Sequence, residues 1–234
     1  MTKRHPGQRR LSREHQEHED DIFVAKILEI SNWLRSNQQA VTVLVVILVL
    51  GVAAGLYYFN YRKSLVTQAA NQLEQIHQTV ALQDREGAKQ QLKVFLDRFG
   101  GTPYAGEARM LLGELYLDGN DPQQAQAVLE PIAQSPRDPL ELQAASLLAA
   151  AYEQEKRWSD AEATYLRIAD RSELDFQIRD ALASAARIRA QEGNRQGAEE
   201  LYQRILDGLD QNDPQRGLYE MRIAELKDRV ASKD

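Results

Sequence analysis

His15 and His18 stand three apart, the spacing of two metal ligands on one helical turn, inside the acidic run EHQEHEDD. A polar tail of that composition cannot hold two imidazoles in fixed geometry, so the pair is read as chance and no metal site is assigned. His77 is the only histidine beyond residue 62, and no serine or acid stands in a recognisable order around it for nucleophilic or acid–base work. No GxSxG, P-loop, GxGxxG or HExxH pattern occurs. The absence of cysteine excludes disulfides, thiol catalysis and thiolate metal sites. The reading is a protein that is not an enzyme and takes no cofactor, metal or small-molecule substrate. What remains is recognition by charge and shape.

The net charge of −6 is unevenly spread. Residues 1–13 hold five basic side chains and no acid, and residues 14–21 hold five acids and no base. Residues 62–234 carry 22 basic and 29 acidic side chains, a balance that argues against nucleic acid, whose binding needs cations to displace counterions.

The elements that must carry such recognition are organised around one apolar stretch, AVTVLVVILVLGVAAGLYYF, from Ala40 to Phe59. No charge falls between Arg35 and Arg62. Twenty helical residues span about 30 Å, the thickness of a hydrocarbon core. Trp33 before the run, and Tyr57, Tyr58 and Tyr61 at its end, are the aromatic rings expected at headgroup level. The stretch is read as one transmembrane helix, residues 40–61. A cleaved signal peptide would have a shorter charged region and a shorter apolar core. The head carries Lys3, Arg4, Arg9, Arg10, Arg13, Lys26 and Arg35, whereas Arg62 and Lys63 are followed by no base until Arg85. This bias places the head in the cytoplasm and the larger part outside. Gly51 and Gly55 form a small-xxx-small pair that fits homo-oligomerisation or docking on a larger membrane complex. Residues 1–20 are expected to be disordered. Residues 21–39 carry an apolar stripe of Phe23, Ile27, Ile30 and Leu34, read as an interfacial juxtamembrane helix.

From residue 62 to 234 the text is helical, with helices expected over 64–82, 85–99, 103–118, 122–134, 139–156, 159–170, 175–192, 195–208 and 214–231. Thr102-Pro103, Asp121-Pro122, Asp138-Pro139 and Asp213-Pro214 read as starts, and Ser159 with Glu162 as a capping box. Gly100-Gly101, Gly119-Asn120 and Gly193-Asn194 read as stops. The helices repeat in pairs. Leu112, Gly113 and Tyr116 align with Leu148, Ala149 and Tyr152; Ala88, Ala125, Ala161 and Ala198 align at 36 or 37 residues, as do Leu92, Leu129, Tyr165 and Tyr202. Two repeats read clearly. Two are degenerate, with Gln75-Ile76 in the first and Arg189 at the Tyr position of the fourth.

This pattern resembles the tetratricopeptide repeat. The resemblance implies an all-α fold: a single transmembrane helix, then a right-handed α–α superhelix of about four helix pairs plus a closing helix. The layout as a whole, with its head ending NWLRSNQQ, resembles the bacterial ancillary Sec translocon subunit family, whose outer domain is similar to that of the periplasmic cell-division coordinator. It implies a scaffold in the inner membrane whose periplasmic domain meets translocon subunits, chaperones or exported chains. The alternatives are a structural accessory subunit of another membrane complex and a cell-envelope or cell-division factor. In such arrays the first helix of each pair lines the concave binding face. Counting from Gly113, Ala149 and Ala186, that face holds Glu107, Met110, Glu114 and Asp118, then Gln143, Ser146, Glu153 and Gln154, then Asp180, Ala183, Arg187 and Gln191. It reads as acidic and suited to a basic partner; with Arg187 as its one cation it lacks the Lys, Asn and Arg of a carboxylate clamp. Tyr116 and Tyr152 are expected to be buried.

Overall fold

The computed structural model describes Trp33, residues 35–134 and residues 136–231. The tail over 1–20, with His15 and His18, and the stripe of Phe23, Ile27, Ile30 and Leu34 lie outside the described residues. Among the described residues there are nine helices and no strand: α1 Gln38–Ala81, α2 Arg85–Phe99, α3 Ala105–Asp118, α4 Pro122–Ala133, α5 Pro139–Gln154, α6 Trp158–Arg171, α7 Asp175–Gln191, α8 Arg195–Asp207 and α9 Arg216–Ala231. The chain divides into two compact units, Met1–Lys63 and Ser64–Asp234. Separate helices over 40–61 and 64–82 were expected, but α1 covers both, because neither glycine nor proline stands between Gly55 and Gly87 to interrupt it.

In the first unit every side chain from Val43 to Leu50 is at least half exposed. This is one helix long and apolar enough to cross a membrane.

The second unit is a superhelical array of four helix pairs, the first formed by the end of α1 with α2, closed by α9. Small residues set the closest approaches. Ala88, Ala125, Ala161 and Ala198 are all fully buried, one on the second helix of each pair. At Gly113 a Cβ would meet Leu129 side-chain atoms at 2.7–2.9 Å, so α3 and α4 cross where α3 has no side chain. Larger residues fill the space between crossings; Phe95 and Phe99 of α2 are both buried, with their rings 5.1 Å apart.

One turn recurs within each pair. Gln83, Asn120, Lys156 and Gly193 have positive φ (62°, 55°, 59° and 85°) and end the first helix. The next residue's N–H then donates back to a carbonyl five residues earlier: Asp84 to Thr79 (3.3 Å), Asp121 to Tyr116 (2.9 Å), Arg157 to Tyr152 (2.8 Å) and Asn194 to Arg189 (2.8 Å). The two pairs read as degenerate are thus built like the others. Asp84, Asp121 and Asn194 then cap the second helix, accepting from the N–H of Gly87, Gln124 and Gly197.

Other expected signals acted differently. Asp138 caps α5 as expected, through the Glu141 N–H at 2.9 Å. Asn194 starts a helix rather than stopping one. Thr102 caps nothing: α3 begins at Ala105, and the Thr102 hydroxyl donates to the Phe99 carbonyl at 2.7 Å, satisfying the end of α2. Ser159 lies inside α6, whose first turn is held by Arg157 donating to Asp160 at 2.8 Å. Asp213 closes a turn onto the Gln215 N–H at 2.8 Å, before α9 begins at Arg216.

Candidate functional site

The residues expected on the open face lie on α3, α5 and α7, and most are accessible, but several are already engaged. Glu107 is within 2.9 Å of His77 Nε2, an acid thirty residues from the histidine that the sequence had left alone. Asp118 pairs with Arg85 at 3.5 Å. Gln154 donates to the Leu117 carbonyl at 3.3 Å, joining α5 to α3, and Ser146 donates within its own helix to Leu142 at 3.2 Å. Gln143, Asp180 and Gln191 are exposed and Ala183 is half-buried. Glu114 is exposed; partial burial of its carboxyl, with the Asp118 charge second, pushes it above the usual range.

Two expectations need correcting. Met110 is 9% exposed and belongs to the core, because its stretch of α3 turns toward the neighbouring helices. The acidic row is also broken up by pairing, most strongly at Glu153. That carboxylate accepts from Tyr165 Oη at 2.8 Å and from one Arg187 nitrogen at 2.8 and 2.7 Å, joining α5, α6 and α7. Burial pushes the Tyr165 phenol well up, and the Glu153 bond adds to it. Tyr116 is buried as expected, but Tyr152 is only half-buried, its ring covered by Arg157 at 4.5 Å and its hydroxyl 3.4 Å from Glu130.

A concavity in the array lies between α7, α8 and α9. It encloses about 540 Å³ and is walled by Asp180 and Arg187 of α7, Tyr202 of α8, and Leu218, Tyr219 and Arg222 of α9. Tyr202 and Tyr219 form its floor, with ring centroids 6.2 Å apart. Burial raises both phenols; the charges of Arg222 and Arg187 oppose this at Tyr202, and Asp180 adds to it at Tyr219. Arg222 holds Glu225 through one nitrogen at 3.0 Å. Sequence reasoning placed Asp180, Ala183 and Arg187 on this face and missed the α8 and α9 walls, because it counted only the first helix of each pair as lining it. Among the described residues no group of three or more His, Cys, Asp or Glu could hold a metal ion. Gly51 and Gly55 face open space, with no atom within 4 Å of either added Cβ.

An array of helix pairs with a charged open face and a shallow cavity defines a class: the helical-repeat scaffold, a fold whose ordinary role is to bind other proteins rather than to catalyse. The family model for the tetratricopeptide repeat-like domain matches residues 31–228, so the chain belongs to that family. Among solved structures it is similar to the nearly identical TPR-like repeats of a kinesin light chain from Podosopora anserina, at 19% identity and a TM-score of 0.55, covering 70% of this chain and 88% of that one. A point variant of the same protein matches at 19% identity and 0.55, covering 70% and 87%. These likenesses show the fold. No curated protein matches the chain.

Proposed function

We propose that the chain is a membrane-anchored scaffold that holds protein partners at the periplasmic face of the bacterial inner membrane, ancillary to the Sec translocon and to periplasmic chaperones. One observation carries the reading: a chain of an interaction-scaffold family also carries one exposed apolar helix of spanning length. The Lys and Arg bias of the head supports a cytoplasmic N-terminus and a periplasmic array. The resemblance in layout to the ancillary translocon subunits supports the choice of partner, and exported chains are the natural occupants of the array. Gly51 and Gly55 are the packing positions for a neighbouring membrane helix or a second copy. The accessible face runs through Glu107, Glu114, Asp118, Gln143 and Asp180.

Affinity purification of the tagged chain from membranes in mild detergent tests the reading. Translocon subunits or periplasmic chaperones are expected to copurify; recovery of an unrelated complex would replace it. Protease added to intact spheroplasts is expected to digest the array and spare the head, and the opposite pattern would reverse the topology. Replacing Glu114 by Lys is expected to weaken capture at low salt, because it is accessible and holds no ion pair among the described residues. Glu153 is unsuited to that test, since it ties three helices together.

A further inference from the structure

Two junctions of the array share one frame, set 37 residues apart: Ala161 and Ala198 occupy the same crossing, Tyr152 and Arg189 supply the same turn carbonyl, and Tyr165 and Tyr202 stand in the same place. At the first junction the Glu153 carboxylate fills the centre, accepting from Tyr165 and Arg187. At the second the residue in the place of Glu153 is Ala190. No carboxylate stands at that position, and the cavity of about 540 Å³ does, with Ala190 in its lining; the carboxylates that border it are Asp180 of α7 and Glu225 of α9, the latter held by Arg222. The phenol is still in place, and a guanidinium is supplied from a neighbouring position, since Ala224 is the residue 37 after Arg187 and Arg222 stands two before it. Tyr202 Oη makes no hydrogen bond among the described residues, and Arg222 reaches the same wall from α9 with only one nitrogen engaged, on Glu225. Arg187 borders the cavity too, and spends a single nitrogen on Glu153.

We propose that this cavity receives the side-chain carboxylate of an acidic residue in a partner polypeptide, with Tyr202 and Arg222 donating as Tyr165 and Arg187 donate to Glu153. Charge-assisted bonds from a guanidinium are the strong kind, and the tyrosine floor shields them from water. Leu218, Tyr219 and Leu226 give the cavity an apolar part, which fits an aliphatic side chain beside the acid. Asp180, close to Tyr219, and Glu225, on Arg222, also border the cavity and repel a second acid, so the site selects a single acidic residue in an apolar context over an acidic run. The site rests on the reading of the array as an interaction scaffold; copurification tests that reading, whereas the paired probes below test only the site.

The experiment uses the full-length chain in detergent micelles and three labelled peptides, acetyl-Ala-Leu-Glu-Leu-Ala-amide, its Gln counterpart and the Gln peptide with a free C-terminal carboxylate, with binding read by fluorescence anisotropy. The Glu peptide is expected to bind about tenfold or more tightly than the Gln peptide. Ala190→Glu, which restores the internal carboxylate, is expected to cut that affinity at least about tenfold. Tyr202→Phe combined with Arg222→Gln is expected to do the same, with circular dichroism and melting temperature unchanged. Equal binding of the two amidated peptides, undiminished binding by Ala190→Glu, no binding of the Glu peptide at about 1 mM, or binding only of the peptide with a free C-terminal carboxylate would each overturn the assignment.

Discussion

The junction around Glu153 and the junction around Ala190 are two copies of one piece of architecture put to different uses. In the first, a carboxylate, a phenol and a guanidinium satisfy one another and tie three helices together. In the second, alanine stands in that carboxylate's place, and the Tyr202 phenol and the Arg222–Glu225 pair border a cavity. The frame around both is the same, with a fully buried alanine at the crossing and a left-handed residue closing the turn. Packing therefore fixes where the helices go, and a single side chain decides whether the space between them holds the array together or stays open to a partner.

The comparison can be broken outright by attacking α7, the helix both junctions share. Ile188 is fully buried there, and Ile188→Ala is expected to cost about 2–5 kcal/mol in chemical denaturation and to damage both junctions together. Glu153→Ala turns the closed junction into a copy of the open one. The expected cost is about 1–2 kcal/mol by thermal melting, toward the low end because Arg187, 51% exposed, recovers water. Tyr165→Phe removes a hydroxyl that is bonded, for about 0.5–1.5 kcal/mol, whereas Tyr202→Phe removes one that is not. If the two phenylalanine variants melt alike, the junctions are not the pair described.

Titration sharpens the contrast further. Below about pH 10 tyrosine keeps its proton in both folded and unfolded chains. Because the folded Tyr165 phenol is raised, the unfolded chain deprotonates first above that pH, and stability falls until the folded group titrates too. Tyr165→Phe is expected to flatten this alkaline loss more than Tyr202→Phe, whose phenol the two arginines partly restore. The smallest effect concerns Glu114, whose raised carboxyl makes stability fall as pH rises through the carboxylate range. Glu114→Gln is expected to remove that fall and to gain about 0.5 kcal/mol or less at pH 7, its exposure limiting the effect.

Much of this frame was legible in the text. Alanine at 88, 125, 161 and 198 announced the helix crossings, since close packing demands short side chains there and the requirement is local. The charge pairing was not legible. His77 with Glu107 and Glu153 with Arg187 lie thirty or more residues apart, and which rotamer reaches which partner depends on the superhelix. The Tyr position misled for a related reason. Thr79, Tyr116, Tyr152 and Arg189 share it through their carbonyls, so the side chain was free to vary. Proline-based starts failed at Thr102 and Asp213, where the hydroxyl or carboxylate found a nearer backbone partner than the helix it was meant to cap.

The left-handed turns carry a consequence for engineering. Three of the four are made by Gln83, Asn120 and Lys156, residues whose Cβ opposes that conformation, and only Gly193 adopts it without strain. Each of the three is a small debit written into the folded chain. Lys156→Gly is expected to raise the melting free energy by about 0.5–1 kcal/mol, and Gln83→Gly to do the same at the other end of the array. Asparagine tolerates the geometry better, so Asn120→Gly should gain least. The array thus holds headroom in its connections, and a more heat-resistant version is within reach of two glycines that touch neither the core nor the open face.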